Sequence, residues 1–170
     1  TVVLPRYFNY QSLYNFTASV VGADGLPIDK EFIFDFRYLS FIDGSGLTVL
    51  CNTLEWLYSH NKSVFFQNHE NPTDPIRYLD DCGFFKRHLG SPVSQFSHVR
   101  STTLPFTKVE HADAHGWLQY SFTPWLSNVL GVSHGALGSV RACVKEIFNN
   151  ILDHSSQTTG FAHVQHYPNL

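Results

Sequence analysis

Residues 32–67 read FIFDFRYLSFIDGSGLTVLCNTLEWLYSHNKSVFFQ. The run 32–36 is short and almost wholly apolar, which suits a central strand buried on both sides. The turn 41–46, FIDGSG, follows. Across 46–60, Leu47, Leu50, Leu54, Leu57 and Tyr58 recur at helical steps and predict an amphipathic helix. Residues 63–67, SVFFQ, then return to a buried strand.

The flanks extend this alternation. TVVL at 1–4 reads as a short buried strand stopped by Pro5, and 9–20 place Leu13, Phe16, Ala18 and Val20 near one helical side. GADGLP at 22–27 is turn chemistry. Downstream, 75–88 open with Pro75 at a helix entry and set Ile76, Leu79 and Cys82 on one face. Strand and helix thus alternate, and the expected class is α/β.

Residues 90–105 are dense in Gly, Ser, Thr and Pro, and 91–105 read as a linker. A strand pair or hairpin is expected around 104–122. Gly131, Gly135 and Gly138 punctuate a loop whose spacing fits no phosphate-loop motif. The clearest helix is 139–154, with Val140, Val144, Ile147, Phe148, Ile151 and Leu152 at helical spacing and Ser139 as N-cap. GFAHVQHY at 160–167 reads as a strand.

Composition narrows the function classes. The chain has 170 residues, 43% hydrophobic and 15% charged, which excludes a disordered tail and a coiled coil. Fifteen Phe, eight Tyr and three Trp imply a bulky core. The net charge of −3 disfavours nucleic-acid binding through phosphate neutralisation. No apolar run is long enough for a membrane span, and TVVLPRYFNY lacks the pattern of a secretory signal. Cys51, Cys82 and Cys143 form no C-x-x-C pair, so neither a disulfide framework nor a Cys-based zinc site is expected, and the expected location is cytoplasmic. A start at Thr1 and the lack of any Met predict a trimmed N-terminus.

Ten histidines raise the question of a metal. His111 and His115 have i, i+4 spacing but no accompanying glutamate of the H-E-x-x-H kind. His163 and His166, three apart on an expected strand, point to opposite faces. No native metal site is expected from these residues.

FIDGSGL, with the apolar strand before it and the helix, strand and Gly83-Phe84 ending after it, resembles the STAS family (sulfate transporter and anti-sigma antagonist) over residues 1–90. The resemblance implies a small mixed sheet with helices mainly on one face, and binding of regulatory protein partners. Asp43, Gly44, Ser45 and Gly46 would form the partner-facing loop. In the family's phospho-switches the modified serine directly follows the aspartate. Here Gly44 stands at that place and Ser45 comes one later. Asp43 and Ser45 are therefore expected to satisfy the turn and cap the helix.

A second stretch, RACVKEIFNNILDHSSQTTGFAHVQHYPNL, resembles the opening of the GHKL (Bergerat-fold) ATPase family, which includes histidine-kinase catalytic domains and anti-sigma serine kinases. The match covers 137–170, within a region 106–170 expected to be a partial α/β sandwich. Glu146, Asn150 and His154 carry the family's helix motif at i, i+4 and i+8, one stripe of a helix. The resemblance implies that Asn150 would ligate the magnesium ion of a bound ATP and that Glu146 would orient or deprotonate the attacking group. His154 would lie near the phosphates, with Asn149 and Asp153 beside them. The later Asp-x-Gly-x-Gly adenine box does not occur before Leu170. The expectation is that ATP and Mg2+ are bound only if the protein continues past Leu170, and that the 170-residue chain alone binds MgATP poorly.

Together these readings predict a cytoplasmic regulatory protein joining a partner-binding module to a nucleotide-binding region, an ATPase or protein kinase in a longer form. The alternative is a non-enzymatic interaction module with an incomplete nucleotide site. Exposed aromatics in 104–126 would support a homodimer.

Overall fold

The structure, a computed structural model, describes residues 1–155 and 158–168. Residues 156–157 and 169–170, inside the GHKL-like stretch, lie outside the described residues. The chain is mixed α/β and divides into two compact units, Thr1–Val99 and Arg100–Leu170.

The first unit is built on β1 (Val2–Val3), β3 (Glu31–Asp35) and β5 (Ser63–Gln67), all parallel in the order β1-β3-β5. A separate parallel ribbon pairs β2 (Tyr7–Phe8) with β4 (Phe41–Ile42). Side chains alternate across a strand. Phe32, Phe34 and Phe36 all point to the covered side and are buried. Phe34 meets Phe16 of α1 (Leu13–Ala18), and Phe36 meets Phe84 and Phe85 of α4 (Phe84–Leu89). On the other side Val3 and Phe65 are half exposed.

The helix α2 (Gly44–Ser59) buries Leu47, Leu50, Cys51, Leu54 and Leu57, as its spacing predicts. The expected 75–88 helix is two: α3 (Asp74–Asp81) and α4, separated by Gly83 at φ +80°, a left-handed conformation that glycine reaches at no steric cost. Arg87 of α4 closes on Glu55 of α2 at 2.8 Å. The stretch read as a linker is not free chain. Buried Asp80 accepts from the backbone N–H groups of Val93 (3.0 Å) and Ser94 (2.8 Å), which fastens that segment to α3.

The second unit pairs β6 (Thr103–Glu110) with β7 (Thr159–Gln165), antiparallel. Residues 111–122, expected to continue a hairpin, are helical instead, as a 3-10 turn (His111–Asp113), α5 (Ala114–Trp117) and a π-helical turn (Leu118–Phe122), and α6 (Thr123–Leu130) follows. Pro124 cannot donate to the helix ladder. The wider turn just before it absorbs that gap, and the Thr123 hydroxyl donates to the Leu118 carbonyl at 2.6 Å. Most aromatics of this region turn inward. Phe106 and Phe122 are buried, Trp117 stacks on Phe122, and Tyr120 is exposed.

A 3-10 turn (His134–Leu137) occupies the expected loop and leads into α7 (Gly138–Ser155). α7 packs Val144, Phe148 and Ile151 against Val109, Ala114, Trp117 and Ala162. Ile147, expected on this face, is 59% exposed. β7 opens with a close approach: a Cβ on buried Gly160 would sit 2.9 Å from Phe148 Cε1 and 2.8 Å from Ile151 Cδ1.

Candidate functional site

The Asp43–Gly46 loop lies where β4 hands over to α2. Asp43 takes an extended backbone (φ −105°, ψ −177°) and acts as N-cap. Its Oδ1 accepts from the N–H groups of Ser45 and Gly46, both at 3.0 Å, and from the Ser45 hydroxyl at 2.6 Å. One carboxylate oxygen thus satisfies two of the helix's otherwise unpaired N–H groups. The Asp43 N–H in turn donates to the Phe8 carbonyl, anchoring the loop to β2. Asp43, Gly44 and Ser45 are half-buried and Gly46 is buried. Beside the loop, the ribbon pair Tyr7 and Phe41 is aligned in register and exposed at 57% and 48%.

Sequence reasoning missed a second polar cluster in this unit. Asp35 ends β3 and is buried. Its Oδ1 accepts from the Arg37 N–H at 3.0 Å and from Asn68 Nδ2 at 2.7 Å, and its Oδ2 lies 3.6 Å from the Arg37 guanidinium. Burial alone would raise this carboxyl. The hydrogen bonds from Arg37, Asn68 and Gln67 and the Arg37 charge outweigh it and hold the group below its ordinary value. Asn68 follows β5 at φ +60°. The cluster borders a groove of about 340 Å³ whose lining includes Arg37, Asn68, Glu70 and Thr73. It sits at the carboxyl ends of parallel strands, where open α/β sheets place ligands. A lone aspartate in an apolar strand was the available signal.

In the second unit, Glu146, Asn150, Asp153 and His154 are exposed on α7, and Asn149 is half-buried. Glu146, Asn150 and His154 form one stripe on the side away from Phe148. Among the described residues no side-chain hydrogen bond or ion pair engages these three. A carboxylate, an amide oxygen and an imidazole fit the donor chemistry of a magnesium-bound triphosphate. They do not line either of the two grooves described in this unit. The larger of those grooves, about 500 Å³, is bordered by Lys108, Glu110, Asp113, His115 and Trp117.

The histidines do not converge. Among the described residues no group of three or more His, Cys, Asp or Glu is placed to hold a metal ion. Cys51 and Cys82 are buried, and burial pushes the Cys51 thiol up, away from the reactive thiolate. Cys143 is exposed. Among the described residues no helix is long and apolar enough to cross a membrane.

No family model, curated protein or solved structure matches the chain.

Proposed function

We propose that this chain is a cytoplasmic regulatory protein whose first unit, STAS-like, binds a protein partner at the surface around Asp43–Gly46. The observation that carries the reading is the fixed geometry of that loop. Asp43 Oδ1 holds Ser45 and Gly46, the loop is tied to Phe8, and Tyr7 and Phe41 stand exposed beside it. A rigid loop costs little entropy to dock, and exposed aromatics are the usual anchors of protein interfaces.

Affinity purification from the source cells tests this, with the wild-type chain and Phe41→Asp as parallel baits. A partner retained by the wild type and lost from a variant of unchanged melting temperature supports the reading. Identical sets of retained proteins, or none, overturn it.

The second unit adds a nucleotide-binding wall of the GHKL kind. ATP with Mg2+, when bound, supplies a transferable phosphoryl group with its charge partly neutralised. Asn150 would hold the ion through its amide oxygen. Glu146 would orient the attacking group or take its proton. His154, Asn149 and Asp153 would stand beside the phosphates. The reading rests on the exposed, unengaged stripe on α7. Calorimetry of the 170-residue chain with MgATP is expected to show weak binding at most, reduced further in Asn150→Ala. Unaltered binding in that variant favours the alternative, a non-enzymatic interaction module with an incomplete nucleotide site.

A further inference from the structure

A different face of α7 carries a concentration of positive charge. Arg141 and Lys145 lie one turn apart, and His115 of α5 joins them around a groove of about 270 Å³. Leu118, which is buried, and Ala142 supply its apolar part, and Gly138 completes the lining. No residue lining the groove is acidic. Among the described residues no ion pair engages Arg141 or Lys145. The nearest carboxylates in sequence lie elsewhere: Asp113 borders the neighbouring groove, and Glu146, one residue past Lys145, is turned about 100° around the helix.

Two like charges at i, i+4 on a helix repel each other. The chain as a whole is net negative, so this patch does not follow from a basic composition. A concave surface with an apolar floor also focuses the field of the charges around it. We propose that this groove binds the phosphate group or diphosphate of a small ligand, held by Arg141, Lys145 and His115.

The chemistry selects that class. A guanidinium presents a planar fork matched to phosphate oxygens, an ammonium adds a point charge, and an imidazole can donate a further hydrogen bond. The volume selects the fragment. It falls below the roughly 300–1,000 Å³ of sites that enclose a whole drug-sized ligand, so the groove takes the charged end. The proposal is independent of the nucleotide reading, because Glu146, Asn150 and His154 do not line this groove.

The test is calorimetric titration of the 170-residue chain with inorganic pyrophosphate at low salt, without Mg2+. One site is expected. Affinity should fall at least tenfold in the double variant Arg141→Gln/Lys145→Gln, stay within twofold in Ile147→Ala, whose exposed side chain lies outside the groove, and weaken as salt is raised. Ala142→Glu retains Arg141, Lys145 and His115 and sets a carboxylate among them. It should abolish binding too, which guards against a double variant that simply folds poorly. A parallel titration with ADP separates the sources. ADP binding that follows the same variant pattern identifies the diphosphate of a nucleotide, and pyrophosphate binding alone identifies a free diphosphate-sized ligand. No binding by the wild type, or equal binding by wild type and both groove variants, overturns the proposal.

Discussion

The Gly46 backbone runs so close to the Phe8 carbonyl that a Cβ there would overlap both its oxygen and its carbon. The start of α2 is pressed on the end of β2, and the loop geometry depends on that approach. Both obstructing atoms are backbone, so neither can swing aside. Gly46→Ala is expected to destabilise the first unit by about 1–3 kcal/mol. Gly116→Ala, on a helix with open space beside it, should be neutral or stabilising by up to about 1 kcal/mol. Urea unfolding of the two variants checks the contrast; equal midpoints would contradict the contact.

The Ser45 hydroxyl donates to Asp43 Oδ1 at 2.6 Å, the same oxygen that caps α2. A negative group at 45 would face that carboxylate and break the cap it completes. Asp43→Ala is expected to cost about 1–2 kcal/mol, the usual loss for an N-cap. Ser45→Ala should cost less than that. Ser45→Asp should cost more than Ser45→Ala, despite the general preference for acids at helix starts. Stability of Ser45→Asp at or above that of Ser45→Ala would mean that the loop accepts a negative charge.

His88 gives the first unit an acid sensitivity. Its ring lies against Phe84, Tyr58 and Phe66, and its pKa is lowered from 6.5 to about 4, by burial first, with Arg87 adding to the effect and Glu55 opposing it. The unfolded chain takes up a proton below about pH 6.5, whereas the folded chain resists until about pH 4. Stability contributed by neutral His88 is therefore complete above pH 6.5 and lost as pH falls toward 4. The loss is on the order of 2–3 kcal/mol. His88→Phe should flatten this slope. Urea midpoints at pH 7 and pH 4.5, taken as the difference between variant and wild type, cancel the parallel contribution of His163, which is also lowered to about 4 by burial. An unchanged slope would show that His88 is protonated at no cost.

What the sequence revealed, and what it hid, follows the range of the interactions. The helices α2 and α7 and the strands β3 and β5 were readable because local periodicity sets them. So was the Asp43 cap, whose donors are two and three residues away. The Asp35–Asn68 bond joins residues 33 apart, and no local pattern announces it. Residues 111–122 were misread because the aromatics Trp117, Tyr120 and Phe122 imitate strand there. Their helical form depends on packing beneath α7 and on the π turn that accommodates Pro124.

Ile147 shows the same limit within a single helix. Its apolar side chain placed it on the packed face of α7, yet it is 59% exposed while its neighbour Phe148 is buried. Phe148 meets Trp117 edge-on at 5.7 Å between ring centres and sits over Gly160. Phe148→Ala is therefore expected to cost about 3–5 kcal/mol and to unfold the second unit at moderate urea. Ile147→Ala and Asn150→Ala should each stay within about 0.5 kcal/mol of wild type, because both side chains face water and Ala is the better helix former. Gly160→Leu should match Phe148→Ala in direction, since its side chain would displace the same ring. Urea denaturation followed by Trp117 and Trp125 emission measures all four. A costly Asn150→Ala would show that the polar stripe serves stability, and its use as a test of nucleotide binding would fall with it.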